Sequence, residues 1–315
     1  MFTDRKLTNA YKDGLVINFD SSAKFIFFSD CHRGDDSVSD EFSRNQIIFL
    51  GALEYYYSHG YTYVEVGDGD DLWEHKHFKH IRLAHYDVFS VLKKLYEDGR
   101  FILLYGNHNI FLKNPKYVCS NYYHYYDEYY QEKVELFKDI KPIEALVLRY
   151  KKTDQEIFVI HGHQGDFMND QFWLVSKFLL RYFWRFMHLV GFQNPSSPAR
   201  NYYKRHKVER NYKKWILRHK KMLICGHTHR PKFPKLDELP YFNTGSCINT
   251  RGISGIEIVD GHILMVEWRI RPDKHGTLHL DRHVKRGPEP IETFDCNNKD
   301  FKYNVNLNGD PDEDC

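Results

Sequence analysis

Residues 24–32 read KFIFFSDCH: a short apolar run that breaks at Ser29-Asp30 and places a carboxylate and an imidazole, Asp30 and His32, two residues apart. The same grammar recurs downstream. Residues 61–66 (YTYVEV) run into Gly67-Asp68-Gly69-Asp70-Asp71, and residues 101–105 (FILLY) run into Gly106-Asn107-His108-Asn109. Between them, residues 40–59 carry a helical pattern, with Phe42, Ile47, Ile48, Leu50 and Leu53 among the apolar positions, and residues 79–98 carry another. Short β-rich runs alternating with helical segments predict βα units and a largely parallel sheet, hence an α/β (α+β) fold class. In such sheets ligands bind beyond the carboxyl ends of the strands, where all three polar clusters fall.

The second half adds two more clusters. Residues 144–150 and 156–160 read as strands, the latter ending at His161-Gly162-His163. Residues 222–225 end at Gly226-His227-Thr228-His229, and three further strands are expected over 241–248, 253–259 and 262–269. Extended residues i and i+2 point the same way, so Asp30 with His32, and His227 with His229, can act as ligand pairs. A single DxH or HxH is as well read as a hydrogen-bonded loop histidine. Five clusters of oxygen and nitrogen donors, each at a strand end, point to a metal site. None relies on cysteine, which argues against a structural zinc knot.

Bulk properties narrow the choice. The chain has 315 residues, 42% of them hydrophobic, enough for a sizeable core. Its net charge of +2 lacks the basic excess of a duplex binder, so nucleic acid is not the expected partner. Six scattered cysteines without a CxxC pair read as reduced thiols, and the opening MFTDRKLTNAYKDG shows no apolar signal core, so a cytoplasmic location is the expectation.

The ordered set D-x-H, GD-x-x-D, GNH, HG and GHTH, from residue 24 to about 260, resembles the calcineurin-like metallophosphoesterase superfamily. That resemblance implies a four-layer sandwich of two mixed β-sheets flanked by helices, and two metals bridged by an aspartate and a water or hydroxide. Residues 1–285 would form the domain, including a helical insertion at 167–220, and 286–315 a polar tail. Asp30, His32 and His229 would hold the first metal, and Asn107, His161 and His227 the second, with Asp68 bridging both. His108 matches the family's non-ligand histidine beside the scissile phosphate, and Asp71 would support the site without ligating. The family often has an acid where Asn109 stands, and His163 is a second candidate for the position of His161.

The chemistry is coherent on its own terms. Two divalent ions about 3.5–4 Å apart polarise phosphoryl oxygens and acidify a bound water. Neutral Asn107 lends an oxygen without adding negative charge. Mixed nitrogen and oxygen donors suit Mn, Fe or Zn, with Mn the first choice for assays. The expected activity is hydrolysis of phosphoester or pyrophosphate bonds in a phosphorylated small molecule, nucleotide or lipid. A lipid-nucleotide hydrolase and a protein phosphatase are the alternatives, and the intact ligand set argues against a non-catalytic scaffold. The insertion followed by GHTHRP also resembles the UDP-2,3-diacylglucosamine pyrophosphatase branch, although that branch commonly has arginine where His108 stands and HGD where this chain reads HGH. Within residues 167–192, Lys177, Arg181, Arg185 and His188 fall on one helical stripe among many aromatics. Residues 199–221 carry ten basic residues against one acid. A packed core helix explains the first stretch and a solvated face the second. A lid, or peripheral membrane contact through 167–221, is the sharper expectation.

Overall fold

Successive residues of β2 (Phe25–Phe28) point to opposite sides of a sheet, yet all four are buried. Both faces of that strand are therefore covered, which is why its sequence is continuously apolar. The computed structural model describes residues 2–165 and 202–297. Within them, β2 lies in a six-stranded sheet ordered β13-β12-β11-β2-β3-β4. Here β3 is Thr62–Val66, β4 Phe101–Leu104, β11 Ile253–Val259, β12 His262–Pro272 and β13 Leu278–Pro290. The β2, β3 and β4 strands run parallel, while β11, β12 and β13 add antiparallel.

A second, five-stranded sheet is ordered β1-β7-β8-β9-β10. It comprises β1 (Leu15–Phe19), β7 (Ala145–Tyr150), β8 (Gln155–Ile160), β9 (Met222–Cys225) and β10 (Tyr241–Asn243). The sheets face one another. Phe25, Phe27, Val64 and Val66 from the first meet Leu146, Leu148, Ile157, Val159 and Ile224 from the second in one apolar cluster. On the outer face of the first sheet, Ile26, Phe28 and Tyr63 pack with α2 (Gln46–Ser58), α3 (Phe78–Ala84), α4 (Tyr86–Glu97) and α5 (Pro115–Tyr122). On the outer face of the second, Val147, Phe158 and Ile160 pack with α1 (Phe2–Lys12) and α6 (Tyr202–His219), the latter through Val208, Tyr212, Trp215 and Ile216. Each buried Phe or Leu in these layers contributes about 1.5–3 kcal/mol, so the three interfaces hold the strand ends in fixed register.

The helical expectation for 40–59 is shortened, because the Asp40 carboxylate accepts from the backbone N–H of Phe42 and Ser43 and holds a turn until Gln46. The 79–98 segment is two helices broken at His85, which is pinned between Asp40 and Gln46. The 241–248 strand stops at Asn243. The expected polar tail does not begin at 286: β13 continues to Pro290, and Ile291, Phe294 and Cys296 are buried beyond it. The remaining described strands, β5 (His124–Asp127) and β6 (Glu132–Glu135), pair as an antiparallel hairpin. The aromatic stretch 167–192, with Lys177, Arg181, Arg185 and His188, lies outside the described residues. Among the described residues no helix is long and apolar enough to cross a membrane.

Candidate metal centre

Five strand ends deliver the donors to one place. Asp30 and His32 follow β2, Asp68 follows β3, Asn107 and His108 follow β4, His161 follows β8, and His227 and His229 follow β9. The first two loops are zipped together as an extension of the β2–β3 pairing. Asp30 N–H donates to Gly67 O (3.1 Å), His32 N–H to Asp68 O (2.9 Å), Arg33 N–H to Gly69 O (2.9 Å) and Asp71 N–H to Arg33 O (3.0 Å).

The backbone there is bent in a costly way. Asp30, His32, Asp68, His227 and His229 all have positive φ, between 48° and 67°. Among the described residues, five of the eleven non-glycine residues with positive φ are thus prospective ligands. Such conformations cost of order 1–3 kcal/mol each for residues with a Cβ, and surrounding contacts must hold them. Glycine permits the close approaches: a Cβ at Gly226 would overlap Ser29 and Asp30, and one at Gly106 would overlap the Asp68 carboxylate.

The side chains form two adjoining sets. In the first, His229 Nε2 lies 3.1 Å from Asp30 Oδ1 and 3.3 Å from His32 Nε2. In the second, His161 Nε2 lies 3.0 Å from Asp68 Oδ2 and 3.2 Å from Asn107 Oδ1, with His227 in the same group. The sets touch, because His227 N–H donates to Asp30 Oδ2 (2.9 Å) and the His161 and His227 rings are 5.1 Å apart. Donors bound to one cation at about 2.0–2.2 Å sit about 3.0–3.4 Å from each other. Four of the separations fall in that range, and the fifth, His32 Nε2 to Asp30 Oδ1, is wider at 3.8 Å.

The tautomer of His161 sharpens the fit. Its Nδ1 is 2.9 Å from Val66 O, and a carbonyl only accepts, so Nδ1 carries a proton. In a neutral ring Nε2 then presents a lone pair, and it faces two acceptor oxygens, on Asp68 and Asn107. That arrangement is repulsive unless a cation or a second proton lies between them. Asp30 Oδ1 poses the same problem, being buried without a hydrogen bond while two ring nitrogens converge on it. These buried His/Asp groups can hold a metal ion. Electrostatics agree. Burial opposes the charge on His161, but Asp68 and Asp30 outweigh it and raise its pKa. Burial likewise works against the Asp30 carboxylate, yet His229 and His161 hold it well below its ordinary range.

His108 stands beside both sets and forms a third candidate group with His32 and Asp71. Its N–H donates to Asp68 Oδ1 (2.8 Å), its Nδ1 lies 3.0 Å from Asp71 Oδ1, and its ring stacks on Trp73 at 4.4 Å. Asp71 is fixed by the backbone N–H of Trp73 and Glu74 and also faces His32 Nδ1 at 3.6 Å. The acid beside His108 thus comes from the loop after β3. Asn109 does other work: its Oδ1 accepts from Gly106 N–H and closes the turn. His163 is buried but outside the ligand groups, and burial followed by the charges of His161 and His227 pushes its pKa far down.

No known protein-family model matches this chain, and no curated protein matches it significantly. The site therefore rests on its own geometry, which includes parts the sequence reading missed. Asn243 supports the GHTH turn, its amide donating to Gly226 O (2.8 Å) and Thr228 Oγ1 (3.1 Å). Thr244 holds Ser29, Oγ1 to Oγ 2.6 Å, and Ser29 in turn donates to Asp30. Below the centre, Arg33 forms a bidentate pair with Glu65 (2.7 and 2.8 Å) and reaches Asp70 (2.7 Å). The available signal was Glu65 itself, a charge inside an apolar strand that needs a buried partner.

Proposed function

We propose that the chain is a metal-dependent hydrolase of phosphoester or pyrophosphate bonds, of the calcineurin-like class its motifs resemble. The observation that carries this reading is the pair of adjoining donor sets with His161 Nε2 facing two acceptor oxygens. Asp30, His32 and His229 would hold one divalent cation, and Asn107, His161 and His227 a second, with Asp68 shared between them and Mn the first choice. Bound there, the cations would supply Lewis acidity toward phosphoryl oxygen and a more acidic water.

The chain's own residues do the rest. Two carboxylates among the ligands against two dications leave the centre positive, so an anionic phosphate ester is drawn in rather than repelled. Asn107 adds an oxygen at no cost in charge. His108, partly exposed beside the centre, is placed to give a proton to the leaving oxygen, while Asp71 fixes the ring from its Nδ1 side.

Two results check this reading. Reconstituted protein should contain two Mn ions per chain by elemental analysis and should melt at a higher temperature than chelator-treated protein. One ion or none would sink the dinuclear assignment. In a screen of p-nitrophenyl phosphate, bis-p-nitrophenyl phosphate, nucleotides and UDP-linked lipids, at least one substrate should turn over with metal and stop with chelator. On that substrate, His108→Ala should lower kcat by about 10²–10⁴ while metal content stays near wild type. Loss of metal from that variant would make His108 a ligand instead.

A further inference from the structure

Arg82, on α3, is only 3% exposed, and its Nε is buried without a hydrogen-bond partner. Among the described residues no carboxylate comes within 4.0 Å of its guanidinium. The partner the structure gives it is the ring of Tyr125, 3.9 Å from Cζ. A stacked ring offsets only a small part of the cost of burying a cation. Burial accordingly depresses the pKa of the group, with Tyr125 and Asp127 only partly opposing.

Arg82 opens onto a cavity of about 170 Å³ between α3, α5 and β5, whose other walls include Lys79, Ser120, Asn121, His124 and Tyr125. Ser120 Oγ and Asn121 Nδ2 donate within α5, to the carbonyls of Lys116 and Tyr117. The donors open to a ligand are therefore the Arg82 guanidinium and the Lys79 ammonium, two positive charges that suit a doubly charged phosphate better than a singly charged carboxylate. Lys79 is held by Glu128 at 2.7 Å, but both side chains are more than half exposed. Such a pair is weak, and an arriving anion can take the ammonium over. None of these residues belongs to the metal-ligand set.

We propose that this cavity binds a phosphate-type oxyanion, either free phosphate or the phosphoryl group of a small molecule. The proposal does not depend on the hydrolase reading. It is tested on the full chain after chelation and buffer exchange, so that no bound metal ion competes. Inorganic phosphate is titrated by calorimetry at low ionic strength. Saturable binding is expected, weakened at least about tenfold in Arg82→Gln, as loss of charge-assisted bonds predicts, and left unchanged in Asp68→Asn. Ser120→Phe, at an exposed position on α5, should block the cavity to the same extent and carries the test should Arg82→Gln fail to fold. Glycerol phosphate binding more tightly than phosphate supports a phosphorylated small molecule, and equal or weaker binding supports free phosphate. No saturable binding up to about 10 mM, unchanged affinity in the folded variants, or acetate binding as tightly as phosphate overturns the proposal.

Discussion

Asp68→Asn is expected to lower turnover by at least about 10³-fold, since a shared carboxylate stabilises charge worth several kcal/mol at such a centre. The substitution changes one atom but meets constraint at both oxygens. Oδ1 accepts from His108 N–H at 2.8 Å, and Oδ2 faces His161 Nε2 at 3.0 Å. An asparagine that keeps its oxygen toward His108 turns an NH₂ group toward the ligand position. The opposite rotamer sets NH₂ against N–H and loosens the turn that carries Asn107 and His108. Neither rotamer restores the negative charge. The measurement is kcat with Mn on the substrate found in the screen, beside metal analysis and circular dichroism to show that the variant is folded. A folded variant keeping more than a tenth of wild-type turnover would remove Asp68 from the shared position.

Much of this centre was legible because its signals are local. Strands covered on both faces read as apolar runs, and a glycine, aspartate or histidine at the end of such a run stands out after four or five residues of Phe, Ile and Val. The i, i+2 pairing of Asp30 and His32 survives into the structure, whereas His227 and His229 part company and join different donor sets, the backbone having left the strand conformation at all four residues. What was not legible depends on partners distant in sequence. Asn243 supports Gly226 and Thr228 from a strand seventeen and fifteen residues away, and nothing local marks it from an ordinary strand-end asparagine. The β13 strand alternates only in its first half, where Leu280 and Val284 pack on the core, and its end, residues 285–290 (KRGPEP), is polar and carries glycine and proline. It forms because β12 offers it a long antiparallel partner, so its extent was misread as the start of a tail. Asn109 looked like a missing acid, but the acid beside His108 comes from position 71, thirty-seven residues earlier.

Arg33→Met should destabilise the fold by about 3–5 kcal/mol, the usual loss when one partner is removed from a buried ion pair. Arg33, Glu65 and Asp70 are each no more than 2% exposed. The guanidinium satisfies both Glu65 oxygens and Asp70 Oδ1, and rests over the Phe89 ring at 5.3 Å. Tyr63 donates to Glu65 and Tyr122 to Asp70, so the carboxylates have hydrogen bonds left but no counter-charge once the arginine is gone. Methionine fills much of the volume, so the loss reflects two stranded charges rather than a hole. The effect should reach the metal centre. Arg33 is joined through its backbone to Gly69 and Asp71, and Asp70 sits between the loop residues Asp68 and Asp71. Urea unfolding with metal-free protein measures stability, and a Mn titration of the folded variant should show weaker binding. The Arg33→Met, Glu65→Gln double variant separates charge from packing, because removing one stranded carboxylate should return part of the lost stability. A loss under about 1 kcal/mol in the single variant would place the network among ion pairs of little net worth. A double variant no better than the single one would assign the loss to packing against Phe89.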